Sequence, residues 1–146
     1  VNNIQNYLKT IHDFHIKSST LRPDFKYHSI ESFILKNGKE MGERSTRSDD
    51  YPKGTIKECF RNAYLLAVEH NLIYYEGYAM GVIPVLHAWC LDKDFHVIDT
   101  TWETGTEYFG VFFSIKYVSK VLLERKSYGV IDNWEMKWPL LRGGHI

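Results

Sequence analysis

The stretch HAWCLDKDFHVIDTTW, residues 87–102, constrains the fold of this chain more than any other. Its two halves are short apolar runs, too short for helices, separated by Asp92-Lys93-Asp94. Runs of that length joined by a few turn-forming residues read as an antiparallel hairpin. Alternate side chains of a strand share a face, so His87 goes with Val85 and Trp89, and Asp99 with Val97 and Thr101. A turn near Lys93 sets His87 opposite Asp99, with their Cβ atoms within about 5.5 Å. The hairpin by itself therefore predicts a His–Asp contact.

A hairpin with apolar residues needs a partner to cover them, and the preceding segment supplies one. Pro52 and Gly54 lead into Thr55-x-x-Glu58, a capping-box pattern that predicts a helix over IKECFRNAYLLAVEH. Cys59, Ala63, Leu66, Ala67 and His70 fall along one face of it. Cys59 lies near the start, where the positive end of the helix dipole favours a thiolate. A lone Cys on an apolar helix face is more often core packing. A His–Asp pair on strands is more often a polar cross-strand contact. Together they change the reading, because a carboxylate that fixes an imidazole leaves its other nitrogen to take a thiol proton.

The remaining elements frame this unit. Apolar residues at helical spacing predict a helix from Asn3 to about Lys17, and Ser29 is placed to cap a short one, IESFILKN, ended by Gly38. The polar residues 38–54 read as a long surface loop, and LIYYEGYAMG as a strand ahead of the hairpin. After a Gly-containing loop, Ser114 is placed to cap IKYVSKVLLERK, closed near Gly129. The tail from Val130 reads as a further strand and an end segment. The expected fold class is α+β: one domain over residues 1–146, with a central Cys-bearing helix on a small antiparallel β-sheet and helical flanks. The loop at 38–54 and the aromatic strands, with Glu76 and Tyr78 at the rim, are expected to frame a cleft.

Composition excludes several classes of function. Eighteen basic residues balance eighteen acidic ones, which argues against a broad nucleic-acid footprint. No apolar run reaches the length of a membrane span, and the amphipathic N-terminus is unlike a signal peptide. Two cysteines make no disulfide framework, so a cytoplasmic, reducing setting is expected. There is no CxxC or HExxH, and a strand points His87 and Cys90 to opposite faces, so no metal is expected. Cys90 reads as a core residue on the reverse face.

The segments ECFRNAYLLA, YYEGYA, HAWCL and VIDTTW, within residues 55–102, resemble the transglutaminase-like branch of the papain-like cysteine enzyme superfamily. The resemblance implies a papain-like or transglutaminase-like core in which Cys59 is the nucleophile, His87 the general base and acid, and Asp99 its orienting group. It implies a cysteine-dependent amide hydrolase or acyl transferase, of peptidase, amidase or transglutaminase type, working through an acyl-thioenzyme. Its substrate would be a peptide, a protein or a small amide, and it would need no cofactor. The family places a Gln, or in some branches a Trp or Tyr, upstream of the Cys as an oxyanion donor; here the only Gln is Gln5 and all four Trp follow Cys59. The Cys59 backbone amide is one donor, with Tyr51 or Asn62 as candidates for a second. Trp89 and Trp102 are candidates for an aromatic substrate wall. The alternative is a degenerate binding module that keeps the fold without turnover.

Overall fold

A computed structural model describes residues 3–144 of the chain. Helices α1 (Asn3–Ser18) and α2 (Ile30–Asn37) come first, then strand β1 (Lys39–Met41) and a 3-10 turn over Thr46–Asp50. Helix α3 (Cys59–His70) follows, then β2 (Ile73–Met80), β3 (Pro84–Leu91), β4 (Val97–Ile98), β5 (Glu107–Phe112) and α4 (Ile115–Arg125). The strands form one antiparallel sheet in the order β1-β5-β2-β3-β4. The molecule is thus α+β, as the pattern of segments requires. Among the described residues no helix is long and apolar enough to cross a membrane.

The sheet separates two apolar layers. On one face, Tyr74, Ala88, Cys90 and Ile98 pack with Ala63, Leu66 and Ala67 of α3 and with Ile4, Leu8, Phe33 and Ile34 of α1 and α2. Val130, Ile131, Leu140 and Leu141 from the C-terminal segment complete that layer. Tyr75, Ala79, Trp89, Leu91, Val97 and Tyr108 form the second layer on the other face. The alternation along β2 and β3 assigns each side chain to one or the other. By the same parity His87 belongs with Trp89, on the face opposite the body of α3.

Several caps form as their residues dictate. Ser29 accepts from the Ser32 N–H at 3.0 Å, and Ser114 accepts from the Tyr117 N–H at 3.1 Å. The capping box expected at α3 does not form. The helix begins at Cys59, with Glu58 in the cap position and no side-chain bond there. Thr55 is engaged instead by Asn62, whose Oδ1 accepts the Thr55 N–H at 3.1 Å. Lys57 turns the chain at φ 65, so residues 55–58 are a turn and not a helical start. Cys59 is therefore the first helical residue, closer to the positive end than the pattern implies.

Residues 38–54 and 103–113 depart most from expectation. The first is not a plain loop, because Lys39–Met41 adds an edge strand to β5 and Thr46–Asp50 makes a 3-10 turn. The Gly-containing region after Trp102 holds β5, which lies between β1 and β2. Gly110 disguises that strand in the sequence, yet it is required there. A Cβ on Gly110 would stand 2.6 Å from the Trp89 ring and 2.9 Å from the Glu76 carbonyl oxygen. Among the described residues the tail adds no strand, and Trp134–Met136 is a 3-10 turn.

Candidate active site

Asp99 is held from every side. The hairpin turn spans Lys93–Phe95, with Phe95 at φ 66 and the Asp92 N–H donating to the His96 carbonyl at 3.1 Å. This longer turn moves the register so that Cys90 faces Ile98. Asp99 therefore lies diagonal to His87, beyond the end of β4, and not directly opposite it. The contact forms all the same, with His87 Nε2 at 2.8 Å from Asp99 Oδ2. Tyr108 donates its hydroxyl to the same oxygen at 2.6 Å, and the Thr101 and Trp102 N–H groups donate to Oδ1 at 2.9 and 3.1 Å.

The backbone of Asp99 is fixed as firmly. Its N–H donates to Ser48 Oγ at 3.0 Å, and Arg44 Nε donates to its carbonyl at 3.0 Å. Burial pushes the Asp99 carboxyl upward, but the bonds from His87, Tyr108 and the Trp102 amide outweigh it and hold the group below the usual carboxylate range. An ionised carboxylate only accepts, so Nε2 carries the proton and Nδ1 is the nitrogen left over.

His87 is 1% exposed, and its ring stacks on Trp102 with centroids 4.0 Å apart at 24°. Burial lowers its basicity, but the hydrogen bonds to Asp99 and to the Cys59 sulfur, with the negative charge of a carboxylate and a thiolate there, raise it to about 9. Cys59, partly exposed and free, lies within electrostatic reach of the ring. Cys59 is the first residue of α3, and β3 has no pairing to β4 at His87. The structure brings together Cys59, His87 and Asp99, with Trp102 against the imidazole.

The other expected residues fall elsewhere. Trp89 is buried at 1%, parallel to Tyr75, with its indole N–H on Met41 Sδ at 3.2 Å, so it offers no face to a substrate. Asn62 spends both amide protons on structure: Nδ2 donates to the Thr55 carbonyl at 2.8 Å and to Thr101 Oγ1 at 2.9 Å. It is not free to meet an oxyanion, and its task is to tie the start of α3 to the residues after Asp99. Tyr51 packs edge-on against His70 at 5.0 Å, near the far end of α3 from Cys59. Glu76 and Tyr78 are buried and not at a rim: Glu76 accepts from Val130 and Ile131 N–H groups, and Tyr78 donates to Glu31. Cys90 is fully buried, with its sulfur 3.3 Å from the Ala63 carbonyl, and burial pushes its thiol well up.

Three contributors to the site carry no legible signal in the sequence. Ser48 and Arg44 lie in the polar segment read as a loop, and Tyr108 lies on the strand hidden by Gly110. Their roles depend on two segments converging on Asp99 from either side of it in the chain. Asp92, Asp94 and His96 also gather closely at the hairpin turn. Asp92 caps the turn through the Asp94 and His96 N–H groups, and Arg47 pairs with both carboxylates, so the turn itself explains that cluster.

Comparison of the chain with family models, with curated proteins and with solved structures returned no match.

Proposed function

We propose that this protein is a cysteine-dependent amide hydrolase or acyl transferase that works through an acyl-thioenzyme, with Cys59 as nucleophile. The observation that carries the reading is a buried imidazole bound through Nε2 to Asp99 and acted on by Cys59 from a helix start. In the first half-reaction the Cys59 sulfur bonds to the amide carbonyl carbon and the C–N bond breaks. The thiol proton passes through His87 to the departing amine. In the second, water or an amine attacks the thioester, gives its proton to His87, and the Cys59 sulfur leaves and recovers it. Water makes the protein a peptidase or amidase; an amine makes it a transferase. Asp99 stays ionised throughout and steadies the imidazolium. The Cys59 N–H has no acceptor within the helix it begins, which makes it a donor for the developing oxyanion.

The helix-borne Cys, the His of β3 and the Asp just past the end of β4 support a transglutaminase-like variant of the papain-like core. A nucleophilic thiol must stay reduced, which favours the cytoplasm as its setting. The expected substrate is a peptide, a protein or a small amide.

Alkylation by iodoacetamide, followed by peptide mass mapping, tests the reading. At neutral pH, Cys59 is expected to react at least about tenfold faster in the native protein than in His87→Ala, which lacks the base that takes the thiol proton. Cys90 is expected to stay unmodified until the protein unfolds. An inert Cys59 beside a reactive Cys90 would replace the enzyme by a binding module that keeps the fold.

A further inference from the structure

An open groove of about 780 Å³ lies between the turn joining β2 to β3, the residues before α3 and the segment after Asp99. Its walls include Ile56, Val82, Ile83, Val85 and Trp102. Three of these are apolar side chains largely in solvent: Ile56 at 75%, Val82 at 98% and Ile83 at 64% exposure. The groove adjoins the candidate site through Trp102. Trp102 both lines it and stacks on His87, Val85 precedes His87 on the same face of β3, and Ile56 lies three residues before Cys59.

We infer that this groove holds an uncharged aliphatic chain on the acyl side of the amide, and so sets which acyl group Cys59 accepts. The inference rests on the acyl-thioenzyme reading above. Its charged lining residues, Lys53 and Glu103, are bonded to each other at 2.6 Å. No net charge is therefore offered to a substrate, and a charged acyl chain would lose hydration without gaining a partner. An aliphatic chain would instead cover the exposed Val82, Ile83 and Ile56 surface. The acyl half stays bound through both half-reactions while the amine departs after the first, so contacts there serve acylation and deacylation alike.

The test uses p-nitrophenyl acetate, hexanoate and succinate as acyl donors, with nitrophenol release and the mass of the Cys59 peptide as readouts. Hexanoate is expected to exceed acetate in kcat/KM by about tenfold or more, from the added methylenes withdrawn from water, and succinate to fall below both. In Ile83→Asp, an exposed position, the hexanoate-to-acetate ratio is expected to fall to about one. A ratio unchanged in Ile83→Asp, or absent in the native protein, overturns the assignment of the groove. A second measurement separates the groove from the chemistry: hexanamide and acetamide are titrated into Cys59→Ala while the indole resonance of Trp102 is followed. If no donor acylates Cys59 but hexanamide alone shifts Trp102, the groove stands and the enzyme reading falls. If Cys59 is acylated while hexanamide leaves Trp102 unmoved, the enzyme reading stands and the groove falls. If neither occurs, both fall.

Discussion

Tyr108 shows how finely the charge at Asp99 is set. Its hydroxyl shares Asp99 Oδ2 with His87 Nε2, so the two donors compete for one oxygen. In Tyr108→Phe, His87 becomes the one side-chain donor to that oxygen among the described residues. The carboxylate then holds the imidazolium more strongly, and the His87 pKa is expected to rise above its native value of about 9. Loss of a buried hydrogen bond to a charged group is expected to cost about 1.5–3 kcal/mol. NMR titration of the ring and chemical denaturation check the two effects separately. An unchanged titration with a normal stability loss would assign Tyr108 to packing alone. At this scale the residues to which the proposal assigns chemistry were legible, since Cys59, His87 and Asp99 carry types and an order that narrow the choice. The residues that hold them were not, because a serine such as Ser48 looks the same in any polar loop until its hydroxyl meets the Asp99 N–H.

Elements respond to different substitutions. Gly110 of β5 lies against the backbone of β2 and under the Trp89 ring, which reaches across β2 from β3, so it has no room for a side chain. Gly110→Ala is expected to push on the Trp89 ring, which Tyr75 and Met41 already hold in place, and to cost about 1–3 kcal/mol. A fall of several degrees in Tm together with a changed near-ultraviolet signal from tryptophan is the expected pair of readings. A normal Tm would mean that the ring yields without penalty. The same crowding explains why β5 was hidden: local composition reads Gly as a loop, whereas the requirement for Gly comes from a side chain on another strand. Helix α3 was legible in its body through the spacing of Ala63, Leu66 and Ala67. Its start was not, because Thr55 and Glu58 match a capping pattern while Asn62 claims the Thr55 amide from within the helix.

For the molecule as a whole, the His87–Asp99 pair sets how stability varies with pH. His87 has a folded pKa raised to about 9, so its contribution is complete below the ordinary histidine value and is lost as pH rises through about 9. Asp99 is lowered, so its contribution is present above the ordinary carboxyl value and is lost as pH falls through its folded one. Denaturation midpoints measured at pH 5, 7 and 10 are expected to drop at the alkaline end, with a smaller drop in His87→Ala. An alkaline limb identical in the variant would remove the pair as its source. Glu76 joins distant parts of the chain, accepting from Val130 N–H at 2.9 Å, from Ile131 N–H at 2.9 Å and from the Tyr74 hydroxyl at 2.7 Å. Glu76→Gln turns an amide donor toward these donors and is expected to cost about 1–3 kcal/mol. Hydrogen exchange at Val130 and Ile131 should accelerate before the rest of the sheet. Uniform acceleration would mean that the C-terminal segment unfolds only with the whole.

By itself the sequence determined the α+β class, the hairpin, the body of α3 and the His–Asp contact, because each follows from periodicity and turn chemistry acting over a few neighbouring residues. Only the tertiary structure decided the diagonal geometry of that contact, the start of α3 at Cys59, the place of β5 within the sheet and the burial of Trp89. These depend on which surfaces meet, and Ser48, Arg44 and Tyr108 reach Asp99 only after the chain has folded around it.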